Sequence, residues 1–301
     1  QTVGLPADKS ELLATLLTKN DLRGVFSHGT QQIATYAILM RDKKLNNDPQ
    51  LTVVKESPVS VLVDGDGGLG YFPAYDGTRR AIEKAKEVGM AAMMSRNHGH
   101  FGAAGIYARL ALEHDLVCYV TSGHQLNLQP GKPIFHAGGG SPMAFGVPTA
   151  KHPPFVLDFG ALHDLYDGKL RRELAEDAPG LVLRCIGMGE ICQAWGGLLS
   201  GLGIDADKPR WTWPGANHGS LVIALRIDLF NDTEAFKKEV DEYVDRIHQL
   251  QPLHGLDKTH IPGGIEAERE VLYAKEGVPV GTWHRQELEK VARELGIEVP
   301  W

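Results

Sequence analysis

The chain has 301 residues, 43% hydrophobic and 23% charged, with a formal net charge of -7 and a pI near 6.0. That is enough apolar material for a large core in one large or two interleaved domains. An acidic balance with no basic stripe excludes a nucleic-acid partner, and the lack of any run of 18 apolar residues excludes a membrane-spanning helix.

Leu12, Leu13, Leu16 and Leu17 recur at helical spacing within Lys9 to Leu22 and predict a first helix. Ile33 to Met40 predicts a second, and Asn46-Asn47-Asp48-Pro49 a turn. Strands are then expected at Leu51 to Val54 and Val59 to Val63, and a helix from Ala74 to Val88. A strand at Met90 to Met94, a helix at Ala104 to His114 and a strand at Leu116 to Thr121 follow. Repeated prolines and Gly138-Gly139-Gly140 break Gln129 to Pro154 into loops joined by short strands. Phe155 to Asp158 and Ser220 to Arg226 read as strands, with a glycine-rich helix near Gly187 to Leu199 between them. Asn231 or Asp232 caps an amphipathic helix carrying Phe236, Val240, Tyr243, Val244 and Ile247, and Glu234 stands where a capping box from Asn231 needs it. A last helix carries Leu288, Val291, Ala292 and Leu295 and stops at Gly296. Helices dominate both ends and strands the middle, an α/β pattern.

Cys118, Cys185 and Cys192 are an odd number without metal-ligand spacing, each in an apolar run, and read as buried thiols of a reducing compartment. No signal-peptide pattern opens the chain, so the cytoplasm is the expected location.

Three stretches carry chemistry. Asp64-Gly65-Asp66-Gly67-Gly68-Leu69-Gly70 contains a GxGxxG between a strand and a helix, the context of a Rossmann phosphate loop. Against that, Tyr71-Phe72-Pro73 separates the glycines from the expected helix, and Ser95-Arg96 stands where an acidic residue is needed at the end of the next strand. A glycine-rich turn is the alternative. Ser95 to Gly105 leaves a strand and enters a helix through small residues, so its amides form a plausible anion cradle. His98 and His100, with His124 and His136, raise a metal site, yet they lack a carboxylate or cysteine at set spacing. Finally, Asp21 to Gly29 places Arg23, Ser27 and His28 together just past a helix. This is either a cap and surface turn or a hydroxyl–imidazole pair able to move protons.

Arg23-Gly-Val-Phe-Ser-His-Gly29, His100-Phe-Gly-Ala-Ala-Gly105, Gly140-Ser-Pro-Met-Ala-Phe145, Pro154-Phe-Val-Leu-Asp158, Gly196-Gly-Leu-Leu-Ser-Gly201 and Pro262-Gly-Gly-Ile-Glu266 occur in one order along nearly the whole chain. Together they resemble the malate/L-lactate dehydrogenase family, which includes ureidoglycolate dehydrogenase, diketogulonate reductase and cyclic-imine carboxylate reductases. The resemblance implies an oxidoreductase using NAD or NADP on a small-molecule substrate, with no metal. Its fold would be non-Rossmann, with a largely antiparallel central sheet and a homodimer whose sites lie near the interface. A helical domain would be built from residues 1-55 and 232-301, and a cofactor-binding sheet domain from residues 56-231. It also makes the glycine loop a structural turn. By the same resemblance His28 is the proton donor to a carbonyl and Ser27 supports it. His100, Gly102, Asp158, Phe159, Gly160, Pro262, Gly263 and Gly264 line the cofactor. A turn residue bonding local amides is the equal alternative for Asp158.

Several positions depart from the family pattern. Gln32 stands where an arginine grips the substrate carboxylate, which leaves Arg23, Arg96 or Arg184 to supply that charge. Ala161-Leu162 replaces a Thr-Ser pair, and Arg184 stands for a lysine. Only Leu170 to Ala178 separates Gly168-Lys169 from Pro179-Gly180, where relatives carry a longer segment. These changes point to a substrate other than the usual small 2-oxo acid. Alternatives are a cyclic-imine reductase, a divergent member without redox activity that binds or transfers protons without a cofactor, and a metal hydrolase using His98 and His100.

Overall fold

The computed structural model describes residues 1–205, 207–208, 210–299 and 301. Its centre is a sheet of seven strands: β1 (Thr52–Ser57), β2 (Ser60–Asp64), β3 (Met90–His98), β4 (Leu116–His124), β5 (Pro142–Val147), β6 (Phe155–Gly160) and β7 (His218–Arg226). They lie in the order β1-β2-β3-β7-β4-β5-β6. Five of the six neighbouring pairs are antiparallel, in keeping with the largely antiparallel sheet expected. Only β2 and β3 run parallel, because α3 (Tyr71–Val88) crosses between them and returns the chain to the same edge.

Helix α3 and α4 (Gly105–Leu112) cover one face of the sheet. Val63, Met93, Val120 and Val222 from the strands meet Ile82, Tyr107, Ala108 and Ala111 there, all buried in one core. The chain ends are helical. Helix α1 (Ala7–Leu22) packs on α8 (Gly264–Glu276), and α2 (Ile33–Arg41) on α9 (Thr282–Leu295). Helices α5 (Gly168–Asp177) and α6 (Pro179–Cys192) follow β6, and α6 runs on through a π turn to Ser200. Helix α7 (Thr233–Ile247) precedes the terminal pair.

Several boundaries differ from expectation. Strands β3 and β4 extend to His98 and His124, and β7 begins at His218, because backbone pairing continues through polar residues that break the apolar alternation. Asp232 alone caps α7, accepting the Ala235 N–H at 2.8 Å, so no capping box forms from Asn231. Helix α3 starts at Tyr71, directly after the glycines. Pro73 lies in its first turn, where a missing N–H costs nothing.

The glycine loop therefore does have a strand–loop–helix context, and what excludes a phosphate is its interior. The Gly65, Gly67, Gly68 and Gly70 N–H groups donate to the carbonyls of Arg96, Asn97, Gly65 and His100, and Asp66 N–H donates to Asp64 Oδ1. Trp213 covers Gly67 and Pro49 covers Gly68. Gly67 has φ +75°, and a Cβ there would lie 2.1 Å from the Trp213 ring. Gly67→Ala should cost about 1–3 kcal/mol or more in urea denaturation, from left-handed strain and overpacking, without changing ligand affinity of the folded protein. Wild-type stability in this variant would show that the loop is not packed as described.

Candidate active site

The turn carrying His28 is fixed from three sides. Asn20 Nδ2 donates to the His28 carbonyl at 2.8 Å, and Gln32 Nε2 to the Ser27 carbonyl at 2.7 Å. Asp21 Oδ2 accepts the Thr30 N–H at 3.0 Å and the Thr30 hydroxyl at 2.5 Å. With its proton on Asp21, the Thr30 hydroxyl accepts from His284 Nε2 at 3.2 Å, which ties the turn to α9. Asn20, Asp21 and His284 are all buried. Gly29 is required where the chain passes Asp21, since a Cβ would lie 1.7 Å from Oδ1.

Held this way, His28 faces a cavity of about 850 Å³, within the roughly 300–1,000 Å³ range of small-molecule sites. Its Nδ1 shares a hydrogen bond with Ser27 Oγ at 3.0 Å. Burial lowers the His28 pKa below 6.5, and the nearby His163 lowers it further.

Gly102, Asp158, Phe159 and Gly160 lie on the same cavity wall. Asp158 Oδ2 accepts the Gly105 N–H at 2.8 Å, so the chain's own carboxylate already occupies one amide of the expected anion cradle. Solvent reaches Asp158 through the cavity, yet the protein packed around its carboxyl pushes the pKa up to about 6, against the pull of the Gly105 N–H and Arg109. Gly263 lies instead on a smaller cavity of about 270 Å³, which shares Arg109 and Val156 with the larger one. The Pro262 carbonyl accepts the Val156 N–H at 3.0 Å, and Gly264 N–H donates to Ile261.

Other predicted residues lie elsewhere. Arg23 is paired bidentately with Glu270 at 3.0 Å and borders only the smaller cavity. Arg184 is exposed on α6, off the cavity wall, and Arg96 is held by Asp64 at 3.0 Å. Gln32 is off that wall too, behind the turn it braces.

His100 backs onto His28, ring centroids 5.3 Å apart, and bonds Tyr36 through Nδ1 at 2.6 Å. Behind it His98, His218 and His124 share one rung of β3, β7 and β4, with near-parallel rings. Burial holds them neutral, His100 near a pKa of about 3 and His98 about 4. His98 spends both nitrogens on Ser95 Oγ and the Gly99 carbonyl. Among the described residues no three His, Cys, Asp or Glu side chains are placed to hold a metal. Cys118 and Cys192 are buried, but Cys185 is half-buried and borders the His28 cavity.

Arg109, His163 and Glu266 were not singled out in the sequence. Arg109 lies four residues beyond Gly105, hence on the same helix side, and Glu266 ends the quoted Pro262 motif. Spacing from a recognised motif would have found both.

Residues 1–177 and 183–289 match the malate/L-lactate dehydrogenase family. L-sulfolactate dehydrogenase of Methanocaldococcus jannaschii is 29% identical over 98% of this chain and 93% of that protein. Malate dehydrogenase of Pyrococcus horikoshii is 27% identical over 98% of this chain and 91% of its own. Its solved structure matches with a TM-score of 0.82 at 25% identity, covering 99% of this chain and 91% of that one. Ureidoglycolate dehydrogenase (NAD(+)) of Escherichia coli K12 is 21% identical over 92% of this chain and 87% of that protein. The first alignment spans 328 positions against 301 residues here, so the relative carries segments this chain lacks. The family match breaks between residues 177 and 183, where Ala178 alone joins α5 to α6. The chain belongs to the malate/L-lactate dehydrogenase family and is an oxidoreductase acting on CH–OH groups.

Proposed function

We propose that this chain is an NAD(P)-dependent dehydrogenase that interconverts a 2-hydroxy acid-like alcohol and its carbonyl compound, with His28 moving the proton. The observation that carries the reading is the Ser27–His28 pair, held by a hydrogen bond from the buried Asn20 side chain and facing a cavity large enough for a small-molecule ligand. The nicotinamide, when bound, supplies or accepts the hydride. Backbone around Gly102, Phe159 and Gly160 and the Asp158 carboxylate offer it a wall, and Gly263 borders the adjoining cavity. Pro262 and Gly264 brace that edge, while His100 supports the His28 ring from behind.

Ser27 holds Nδ1 of His28 and leaves Nε2 for the reacting oxygen. At neutral pH the lowered pKa keeps the imidazole uncharged, ready to take the alcohol proton; once protonated it is a stronger acid than an ordinary histidine. The cavity wall carries Asp158, Asp164 and Glu266 against one arginine, Arg109, so one fixed positive charge is on offer to ligand anions there. Gln32, turned onto the Ser27 carbonyl, adds no charge.

The cytoplasm and a homodimer complete the reading. Three free thiols suit a reducing compartment. Leu183, Ile191, Trp195 and Leu199 follow one another at four- or eight-residue spacing along α6 and its extension, all exposed. Such a row suits a self-complementary contact.

His28→Ala should lower turnover by about 100- to 10,000-fold while leaving nucleotide affinity nearly unchanged; a variant with full kcat removes His28 from the chemistry. Carbonyl reduction needs the protonated imidazole, so its kcat/KM should rise as pH falls and level off below the lowered pKa. Oxidation needs the neutral form and should fall below that same point. A shared inflection under pH 6.5 is expected, and titration only above pH 7 contradicts it. Light scattering should give the mass of two chains, and Ile191→Glu should shift it toward one. A monomeric wild type ends the dimer proposal.

A further inference from the structure

Arg109 is placed where a cation should not be comfortable. It lies on α4, with its guanidinium folded back so that Nη1 donates to the Gly105 carbonyl in the first turn at 3.3 Å. That is the positive end of the helix dipole, where anions are stabilised and cations are not. Arg23 stands nearby as a second positive charge, and burial and that neighbour together lower the Arg109 pKa to about 10. Asp158, Glu266 and Glu270 surround it, yet among the described residues Arg109 forms no ion pair within 4.0 Å. Arg23 is already paired bidentately with Glu270, and one oxygen of Asp158 is taken by the Gly105 N–H. The bond to Gly105 is the only hydrogen bond from the guanidinium among those residues, so most of its five donors remain available.

Its position is equally specific. Arg109 borders both the His28 cavity and the smaller cavity beside it. Gly102, Ala103 and Ala104, just before α4, line the larger cavity, and their backbone N–H groups have no protein acceptor among the described residues. A free guanidinium at the junction of two cavities and free amides on the wall of the larger one thus belong to the same site.

We propose that Arg109 is the anchor for the diphosphate of the dinucleotide, with the nicotinamide half in the His28 cavity and the adenosine half toward the smaller one. This rests on reading the site as a nicotinamide-nucleotide site. A charge at the junction suits a group in the middle of a long ligand. A substrate carboxylate is terminal and next to the reacting carbon, and belongs beside His28. The planar guanidinium matches two phosphate oxygens at once, and the anion removes the mismatch between Arg109, the helix dipole and Arg23.

Calorimetric titration of the full chain with NADH, ADP-ribose and inorganic pyrophosphate tests it. Wild type should bind all three, and Arg109→Gln should weaken each by about 10- to 100-fold, the loss of a charge-assisted contact. Arg109→Lys should recover part of the loss. Equal affinities in wild type and a folded Arg109→Gln protein overturn the assignment while leaving the nucleotide reading intact. Should the variant fail to fold, phenylglyoxal modification of wild type decides. ADP-ribose must protect Arg109, mapped by mass spectrometry, and unprotected labelling overturns the proposal. Arg109-dependent binding of pyrophosphate without any binding of NADH or NADPH upholds the anion site and sinks the dinucleotide reading. Binding of none of the ligands ends both.

Discussion

The contact between Asp21 and Thr30 is the constraint on which the site depends. A carboxylate at 3% exposure is expensive to desolvate, and here one oxygen takes two donors while the other, Oδ1, has no partner among the described residues. That arrangement persists only because the turn at Gly29 leaves room for it. In return the Ser27–His28 segment cannot drift: α1 supplies Asn20 and Asp21, α9 supplies His284, and Gln32 closes the turn on itself. Residues from both ends of the sequence therefore fix one imidazole against the cavity.

The sheet backs the imidazole by a different principle. Placing β7 between β3 and β4 brings His98, His218 and His124 to one rung, beneath His100 and next to His28. Five imidazoles in ring contact would repel one another if charged, and burial makes that worse. Burial keeps the four behind His28 neutral, and it lowers His28 as well, the one that faces the cavity. The row is thus a neutral polar backing that leaves proton transfer to its outermost member.

Much of the fold was legible because it rests on periodicity and punctuation. The helices at both ends, the strands in the middle and the stop at Gly296 follow from local pattern, and motif order gave the family. Features set by distant partners were not legible. Nothing local shows that Trp213 and Pro49 fill the glycine loop, or that β3, β4 and β7 continue through polar residues paired with one another. Arginine assignment failed for the same reason. Arg23 and Arg96 look free in sequence and are consumed by Glu270 and Asp64, whereas Arg109, inside an apolar helix, is the one left without an ion pair on the His28 cavity wall among the described residues.

This inversion bears on substrate choice. In a site where a dedicated arginine holds the substrate, binding of substrate and nucleotide can draw on separate charges. Here position 32 is a glutamine committed to the backbone, and the remaining wall charges are Asp158, Asp164 and Glu266 against Arg109. If Arg109 is engaged by a diphosphate, a substrate near His28 meets a surface whose fixed charge is negative. Recognition must then come from neutral donors, shape and the imidazoles themselves, conditions that suit a weakly charged or neutral carbonyl compound over a dicarboxylate.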